Sequence, residues 1–361
     1  MDKNSSKLIS CVRFPLALGV VFIHSSQALN WKLSQPFEVV ISKYVYALFS
    51  TIIPSVCVPF FFLMSGYLFY QNIEKYESKF LFFRDKYKKR FLSLFVPFVL
   101  WNLIPVLILL IKGEGISFDS VPSFFWDYSN KLVRSNVFGW EYTFSTPING
   151  PLWFIRDLIV SVVVSPLIFF FIKRTKIWGI FILGVIYVFS LWPNTIFLMQ
   201  GISLFYFSLG CYFSLHNKSL YSNGTKPLYL AIYVILSLLF PIIQNYIVLE
   251  VFLITIHLYS IYSIFVLLMI VSAIIRKNYT FPAFFSWGGI GFFIFSAHTI
   301  YVNVLFGNYL LPFIIPGDNI IVWIFRYFLL PISICVFLVF VYYALKETFP
   351  KILGVFVGGR L

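Results

Sequence analysis

LISCVRFPLALGVVFIHSSQAL, residues 8–29, is an apolar run interrupted by a single Arg and a single His. About 20 consecutive apolar residues, rising 1.5 Å each, cross the ~30 Å hydrocarbon core of a bilayer. The stretch therefore reads as a transmembrane helix. Lys3 and Lys7 ahead of it resemble the basic start of a signal peptide. Arg13 and His24 within the run, the lack of a small-residue cleavage site and the apolar chain that follows all favour a retained span.

Moving outward, comparable runs lie near residues 46–70, 91–111, 152–172, 177–192 and 195–215, then near 227–243, 247–275, 281–306 and 320–345. That makes ten, the fifth and sixth divided only by Pro193 and Asn194. Composition agrees: 60% of the 361 residues are hydrophobic and 11% charged, with mean hydropathy +0.90. A soluble domain carries roughly 25% charged residues, so a surface this poor in charge must face lipid. The expected fold is all-α, a polytopic membrane helix bundle of about ten transmembrane helices forming one membrane domain over residues 1–361.

Charge sets the orientation. With the N-terminus in the cytoplasm, 19 of the 27 Lys and Arg fall on inner segments, five on outer ones, and Arg13, Arg156 and Arg326 within spans. Cytoplasmic segments collect Lys and Arg by the positive-inside bias, so both termini are expected inside. Residues 71–90 then form a basic cytoplasmic loop, and 112–150 an extracytoplasmic segment too long for a simple connector. The net charge of +14 is absorbed by this topology and leaves no basic stripe of the kind that binds nucleic acid. Cys11, Cys57, Cys211 and Cys335 each sit in an apolar run, as packing residues do, and do not form a disulfide or zinc pattern.

Ionisable side chains inside a span cost about 2.5–3.5 kcal/mol on insertion scales and mark function unless they snorkel to an interface. Arg13 and His24 are eleven residues apart, about 1100° of helix rotation, so they share one face roughly 16 Å apart along the axis. Arg13 also reads as an inner-interface anchor, and His24 as a hydrogen-bonded packing residue. Arg156 and Asp157 adjoin at the start of the fourth span, where their spacing points them to different faces rather than into a self-contained pair. Glu250 and His257 share a face of the eighth span, and His298 and Arg326 lie in the ninth and tenth. Ser65 and Gly66 in the second span are small enough for close helix approach. No Walker loop, H-E-x-x-H pair, cysteine ligand pair or G-x-S-x-G elbow occurs, which leaves ATP-driven transport, zinc proteolysis and that class of serine hydrolase without support. No metal or prosthetic cofactor is expected.

Arg13-x10-His24, the run Phe61-Phe62-Leu63-Met64-Ser65-Gly66-Tyr67, Pro151-Leu152-Trp153-Phe154, and the late His298 resemble the acyltransferase-3 family of integral-membrane acyltransferases. The resemblance spans the chain. It departs from the family at Phe14-Pro15, where an Asp or Asn with Gly is usual near the Arg. It implies transfer of an acyl group, commonly acetyl from acetyl-CoA, to a hydroxyl of a cell-envelope glycan or its lipid-linked precursor in a bacterial inner membrane. In that setting His24 is the expected general base, or alternatively a transient acyl carrier, since imidazole titrates near neutrality. His298 would orient the acceptor or share the proton transfer. Arg13, with Arg84, Lys86, Lys88, Lys89 and Arg90, offers cationic contacts for the phosphates of CoA, although topology alone accounts for the basic cluster equally well. Trp153, Arg156 or Ser65 are candidate donors to the oxyanion, with Asp157 beside them as a candidate substrate contact. The competing class is a transporter or flippase for a glycan or lipid-linked intermediate, which ten spans and intramembrane charges also fit. A non-catalytic scaffold is the third.

Overall fold

Lipid cannot satisfy backbone N–H and C=O groups, so a chain this apolar folds into helices that satisfy their own. The computed structural model describes residues 3–113, 121–135, 141–192, 199–222, 224, 226–277 and 288–361, with backbone alone at 3, 129–135 and 141–144. The helices are, in order, α1 (Lys3–Ile23), α2 (Pro36–Tyr46), α3 (Cys57–Phe69), α4 (Lys79–Arg90), α5 (Val96–Ile111) and α6 (Val121–Trp126). A two-stranded antiparallel ribbon, β1 (Ser129–Ser135) and β2 (Glu141–Thr146), follows, pairing Leu132 with Phe144 and Arg134 with Tyr142. Then come α7 (Trp153–Val163), α8 (Ser165–Thr175), α9 (Ile177–Val188), α10 (Gly201–Leu215), α11 (Pro227–Ile243) and α12 (Leu249–Arg276). Last are α13 (Gly288–Ala297), α14 (Val302–Val304), α15 (Leu311–Ile314), α16 (Ile320–Thr348) and α17 (Pro350–Phe356).

Among the described residues, five helical stretches are long and apolar enough to cross a membrane, Asn4–Asn30, Pro36–Lys75, Lys79–Ile111, Leu249–Arg276 and Ile320–Thr348. Two bent pairs, each counted as one span, raise this to seven. The same residues include three shorter apolar helices, α9, α10 and α11. The expected uninterrupted spans at 152–172 and 281–306 are corrected. The first bends by 66° between α7 and α8, where Pro166 near the start of α8 cannot donate to the preceding turn. The second bends by 74° after α13, with Tyr301 in left-handed conformation (φ 58°). Residues 195–198 and 281–287 of the expected spans lie outside the described residues. The basic segment 71–90 is also no open loop in its second half: α4 is helical and continues into α5 through a π-helical turn at Phe91–Phe95.

The chain divides into two compact units. The first comprises Met1–Ile9, Val58–Thr225 and Val248–Tyr279; the second comprises Ser10–Cys57, Lys226–Ile247 and Thr280–Leu361. In the first unit, α3 and α10 cross at Gly66 and Gly210, where a Cβ on either would overlap the partner backbone, at the Phe207 and Leu63 carbonyls respectively. Only glycine permits that approach. Phe62 stacks edge-on against Phe154 at 4.6 Å and lies 6.3 Å from Trp153, so the Phe61–Tyr67 run and the Pro151–Phe154 run are in contact.

In the second unit the core is aromatic: Tyr327 stacks on Trp323 at 5.0 Å and meets Phe22, Tyr46 and Phe328 edge-on. Its hydroxyl pairs with Ser50 at 2.7 Å. Glu38, buried, accepts from the backbone N–H of Gln35 and of Ile320, capping α2 and the start of α16 with one carboxylate. All four cysteines are buried, and none is in a disulfide.

Candidate functional site

Arg13 and His24 stand at the two ends of the part of α1 that belongs to the second unit. A second helix runs beside it in matching register. The Arg13 guanidinium is 3.3 Å from where a Cβ on Gly288 would sit, Gly291 faces Ala17 at 3.9 Å, and the His24 and His298 rings are 5.2 Å apart between centroids. Ten residues from Gly288 to His298 match eleven from Arg13 to His24, about 15 and 16 Å of rise. The glycines of α13 remove the side chains that would hold α1 away. One strip thus carries a cation at one end and an imidazole pair at the other. Arg13 is half-buried and has no carboxylate partner among the described residues.

His298 is not within a span's regular helix as expected but at the break after α13, where the chain turns by 74°. It is fully buried. Its Nδ1 lies 3.1 Å from the Ile294 carbonyl oxygen and 3.0 Å from that of Phe295. Carbonyl oxygens only accept, so Nδ1 carries the proton and, in the neutral ring, Nε2 is an acceptor. That Nε2 is buried and has no hydrogen-bond partner among the described residues.

One contact holds His24 itself and three hold the turn that follows it. The Asn303 side-chain amide donates to the His24 backbone carbonyl. Trp31 Nε1 donates to the Gly307 carbonyl at 2.7 Å, and Trp323 Nε1 to the Ala28 carbonyl at 3.0 Å. Gly307 lets the π-helical turn Leu305–Leu310 sit against Gln27, whose Cβ is 2.6 Å from a Cβ built there. Asn303 was not singled out from the sequence. The signal available was a lone amide in the apolar run Val302-Asn303-Val304-Leu305, five residues beyond His298.

The other intramembrane ionisable groups are structural clamps. Arg326 donates through Nε and NH2 to the Ile315 carbonyl and lies over the Trp31 ring, capping the end of α15. His257 Nδ1 is 3.2 Å from the Val188 carbonyl oxygen, the last residue of α9, and its ring lies 4.4 Å from that of Tyr187.

Arg156 and Asp157 do form a self-contained pair, contrary to the expectation from their spacing. The guanidinium folds back along the helix and donates through Nε (3.1 Å) and NH2 (2.9 Å) to Asp157 Oδ1. Both side chains are fully buried. NH1 donates to the Trp126 carbonyl and to the carbonyl and hydroxyl of Ser145, tying the end of α6 and the base of β2 to α7. Asp157 Oδ2 accepts from the Gln200 N–H and the Ser203 hydroxyl.

The remaining expected residues belong to the first unit. Ser65 and Trp153 are half-buried on α3 and α7. On α4, Arg84 and Lys88 are exposed and Arg90 half-buried, and Arg84 pairs loosely with Asp85 at 3.6 Å. Lys86 instead turns inward, donating to the Leu68 carbonyl at 3.3 Å and resting on the Phe69 and Phe82 rings. It caps the C-terminus of α3. Among the described residues no three His, Cys, Asp or Glu side chains group closely enough to hold a metal ion.

A helical, multi-pass membrane protein with a histidine pair at the ends of two facing helices is the class that fold and site define. The chain belongs to the acyltransferase-3 family, residues 8–346 matching its acyltransferase domain. It is 29% identical over 227 residues to the succinoglycan biosynthesis protein ExoH of Rhizobium meliloti (strain 1021). That match covers 61% of this chain and 57% of the relative. No solved structure matches.

Proposed function

We propose that this protein is a membrane O-acyltransferase that moves acetyl from cytoplasmic acetyl-CoA to a hydroxyl of a cell-envelope polysaccharide or lipid-linked glycan. The observation that carries the reading is the His24–His298 contact at the end of the strip that begins at Arg13, in a chain of an acyltransferase family. A relative named for succinoglycan biosynthesis supports a polysaccharide acceptor. The positive-inside distribution of Lys and Arg supports cytoplasmic termini, and the bacterial inner membrane is what the family resemblance implies.

In this reading Arg13 meets the anionic part of the donor. His24 Nε2 or Nδ1 takes the proton of the acceptor hydroxyl as its oxygen attacks the thioester carbonyl. The C–S bond breaks, an ester C–O bond forms, and the proton passes to the departing thiolate to give free CoA. General-base catalysis of this kind contributes about 10²–10⁴-fold. Arg156 and Asp157 serve the reaction indirectly, by holding the extracytoplasmic segment.

The test is acetyl-CoA binding and CoA release by purified protein in nanodiscs, with a crude lipid-linked glycan extract as acceptor. Wild type is expected to bind acetyl-CoA and release CoA only when the extract is present, and His24→Ala to bind but release at least 100-fold more slowly. Neither binding nor release with acetyl-CoA or a panel of other acyl-CoAs would overturn the reading and favour a transporter.

A further inference from the structure

Two buried acceptor atoms flank His24 and have no donor among the described residues, His298 Nε2 and Asn303 Oδ1. Neither assignment is free to be reversed. His298 Nδ1 must carry a hydrogen because it faces two carbonyls, which makes Nε2 the lone-pair nitrogen of the neutral ring. Asn303 must present its NH2 to the His24 carbonyl, which makes the free atom the oxygen. His298 is fully buried and Asn303 is 4% exposed. The two are linked through the backbone, the Asn303 N–H donating to the His298 carbonyl at 3.1 Å, in the break of one bent helix pair.

Buried polar atoms in folded proteins are nearly always paired, and an unpaired one is costly to keep. Two of one kind, both acceptors, one beside the His24 ring and the other on an amide that grips the His24 main chain, call for a ligand that brings hydrogens. Ether, ester and carboxylate oxygens bring none. A free hydroxyl does, and a glycan presents hydroxyls on neighbouring carbons.

Resting on the acyl-transfer reading above, we propose that His298 and Asn303 form a hydroxyl-recognising subsite beside His24, so that the acceptor is a sugar diol. One hydroxyl reacts at His24 while its neighbour donates its single hydrogen to one of the two acceptors, the other taking a further hydrogen from the same sugar. The reacting oxygen loses its proton to His24 and gains the acyl carbon, the thioester C–S bond breaks, and the proton leaves on CoA. The neighbouring hydroxyl is unchanged by the reaction and acts only in binding. A consequence is one acyl group per diol. After the first transfer the neighbour is an ester, with no hydrogen to offer, and the remaining hydroxyl is no longer well held.

The experiment uses the full-length protein in nanodiscs, acetyl-CoA and the crude lipid-linked glycan extract, with NMR mapping of the acylated positions. Every acetyl group is expected on a carbon whose neighbour keeps a free hydroxyl. Asn303→Leu and His298→Leu are expected to raise the glycan KM at least tenfold while acetyl-CoA affinity stays within twofold. His298→Gln, which retains an acceptor oxygen, is expected to recover much of the loss. Should the leucine variants fail to fold, His298→Gln and the wild-type acylation map still decide the matter. Acetyl on carbons that lack a free neighbouring hydroxyl overturns the proposal. So does an unchanged glycan KM with only kcat reduced, the result expected if the two acceptors merely hold a water molecule. Absence of any transfer by wild type overturns the acyl-transfer reading and this proposal with it, whereas transfer without positional preference overturns this proposal alone.

Discussion

Two buried polar centres, one in each compact unit, are built in opposite ways. Around Arg156 and Asp157 both charged groups are fully engaged: the guanidinium meets a carboxylate, two carbonyls and a hydroxyl, and the carboxylate is met in turn by an N–H and a hydroxyl. Around His24 the pairing is incomplete. Backbone atoms fix the His298 ring and Asn303 grips the His24 main chain, yet a ring nitrogen and an amide oxygen remain buried and unpaired. A satisfied network specifies shape, and an unsatisfied one awaits something to bind. Both centres raise the same alarm in the sequence, polar groups inside apolar runs. Only the partner count separates structure from function.

The contrast can be broken most directly at its charged member. Arg156→Ala should leave Asp157 uncompensated in a dry site, and removing one partner of a buried pair costs about 3–5 kcal/mol. Thermal unfolding in nanodiscs should show a large loss of stability together with protease sensitivity at residues 126–145. A variant that stays as stable as wild type would mean the network is dispensable. His24→Ala should do the reverse, keeping the melting behaviour while losing the CoA release described above. If both variants lose stability equally, the distinction between the centres collapses.

Smaller effects sharpen it. Gly66→Ala and Gly210→Ala each place a methyl group against facing backbone, and overpacking of that kind costs about 1–3 kcal/mol. Melting should shift down without any change in glycan KM. A glycan-specific defect would instead attach the α3–α10 crossing to the site. The least effect is expected on α4. Replacing Arg84 and Lys88, both exposed, by Gln should leave stability unaltered and raise the acetyl-CoA Kd only at low ionic strength, as screened surface charges do. A donor affinity that does not respond to salt or to these replacements would confine donor recognition to Arg13.

Much of this was legible in the residues themselves. Apolar run length announced a helical membrane protein, because lipid imposes a span of about 20 residues whatever the neighbours are. The eleven-residue spacing put Arg13 and His24 on one face, since helix geometry is local. Ser65 and Gly66 announced close packing, but not its partner at Gly210. The breaks at Val164 and after Ala297 were hidden, because Pro166 is tolerated within many spans and nothing in the order of residues marks the turn at Tyr301.

What stayed out of reach has one cause: hydrogen-bond partners are chosen in three dimensions. Side-chain spacing on an ideal helix sends Arg156 and Asp157 apart, yet a long guanidinium folds back once Trp126 and Ser145 close over it. Glu38, Arg326 and His257 are quiet clamps for the same reason, each committed to a carbonyl or N–H far along the chain. The sequence determined by itself that this protein lives in a membrane and which side chains are costly there. Tertiary structure alone decided which of those costs are repaid within the fold, and left Nε2 of His298 and Oδ1 of Asn303, beside His24, among those that are not.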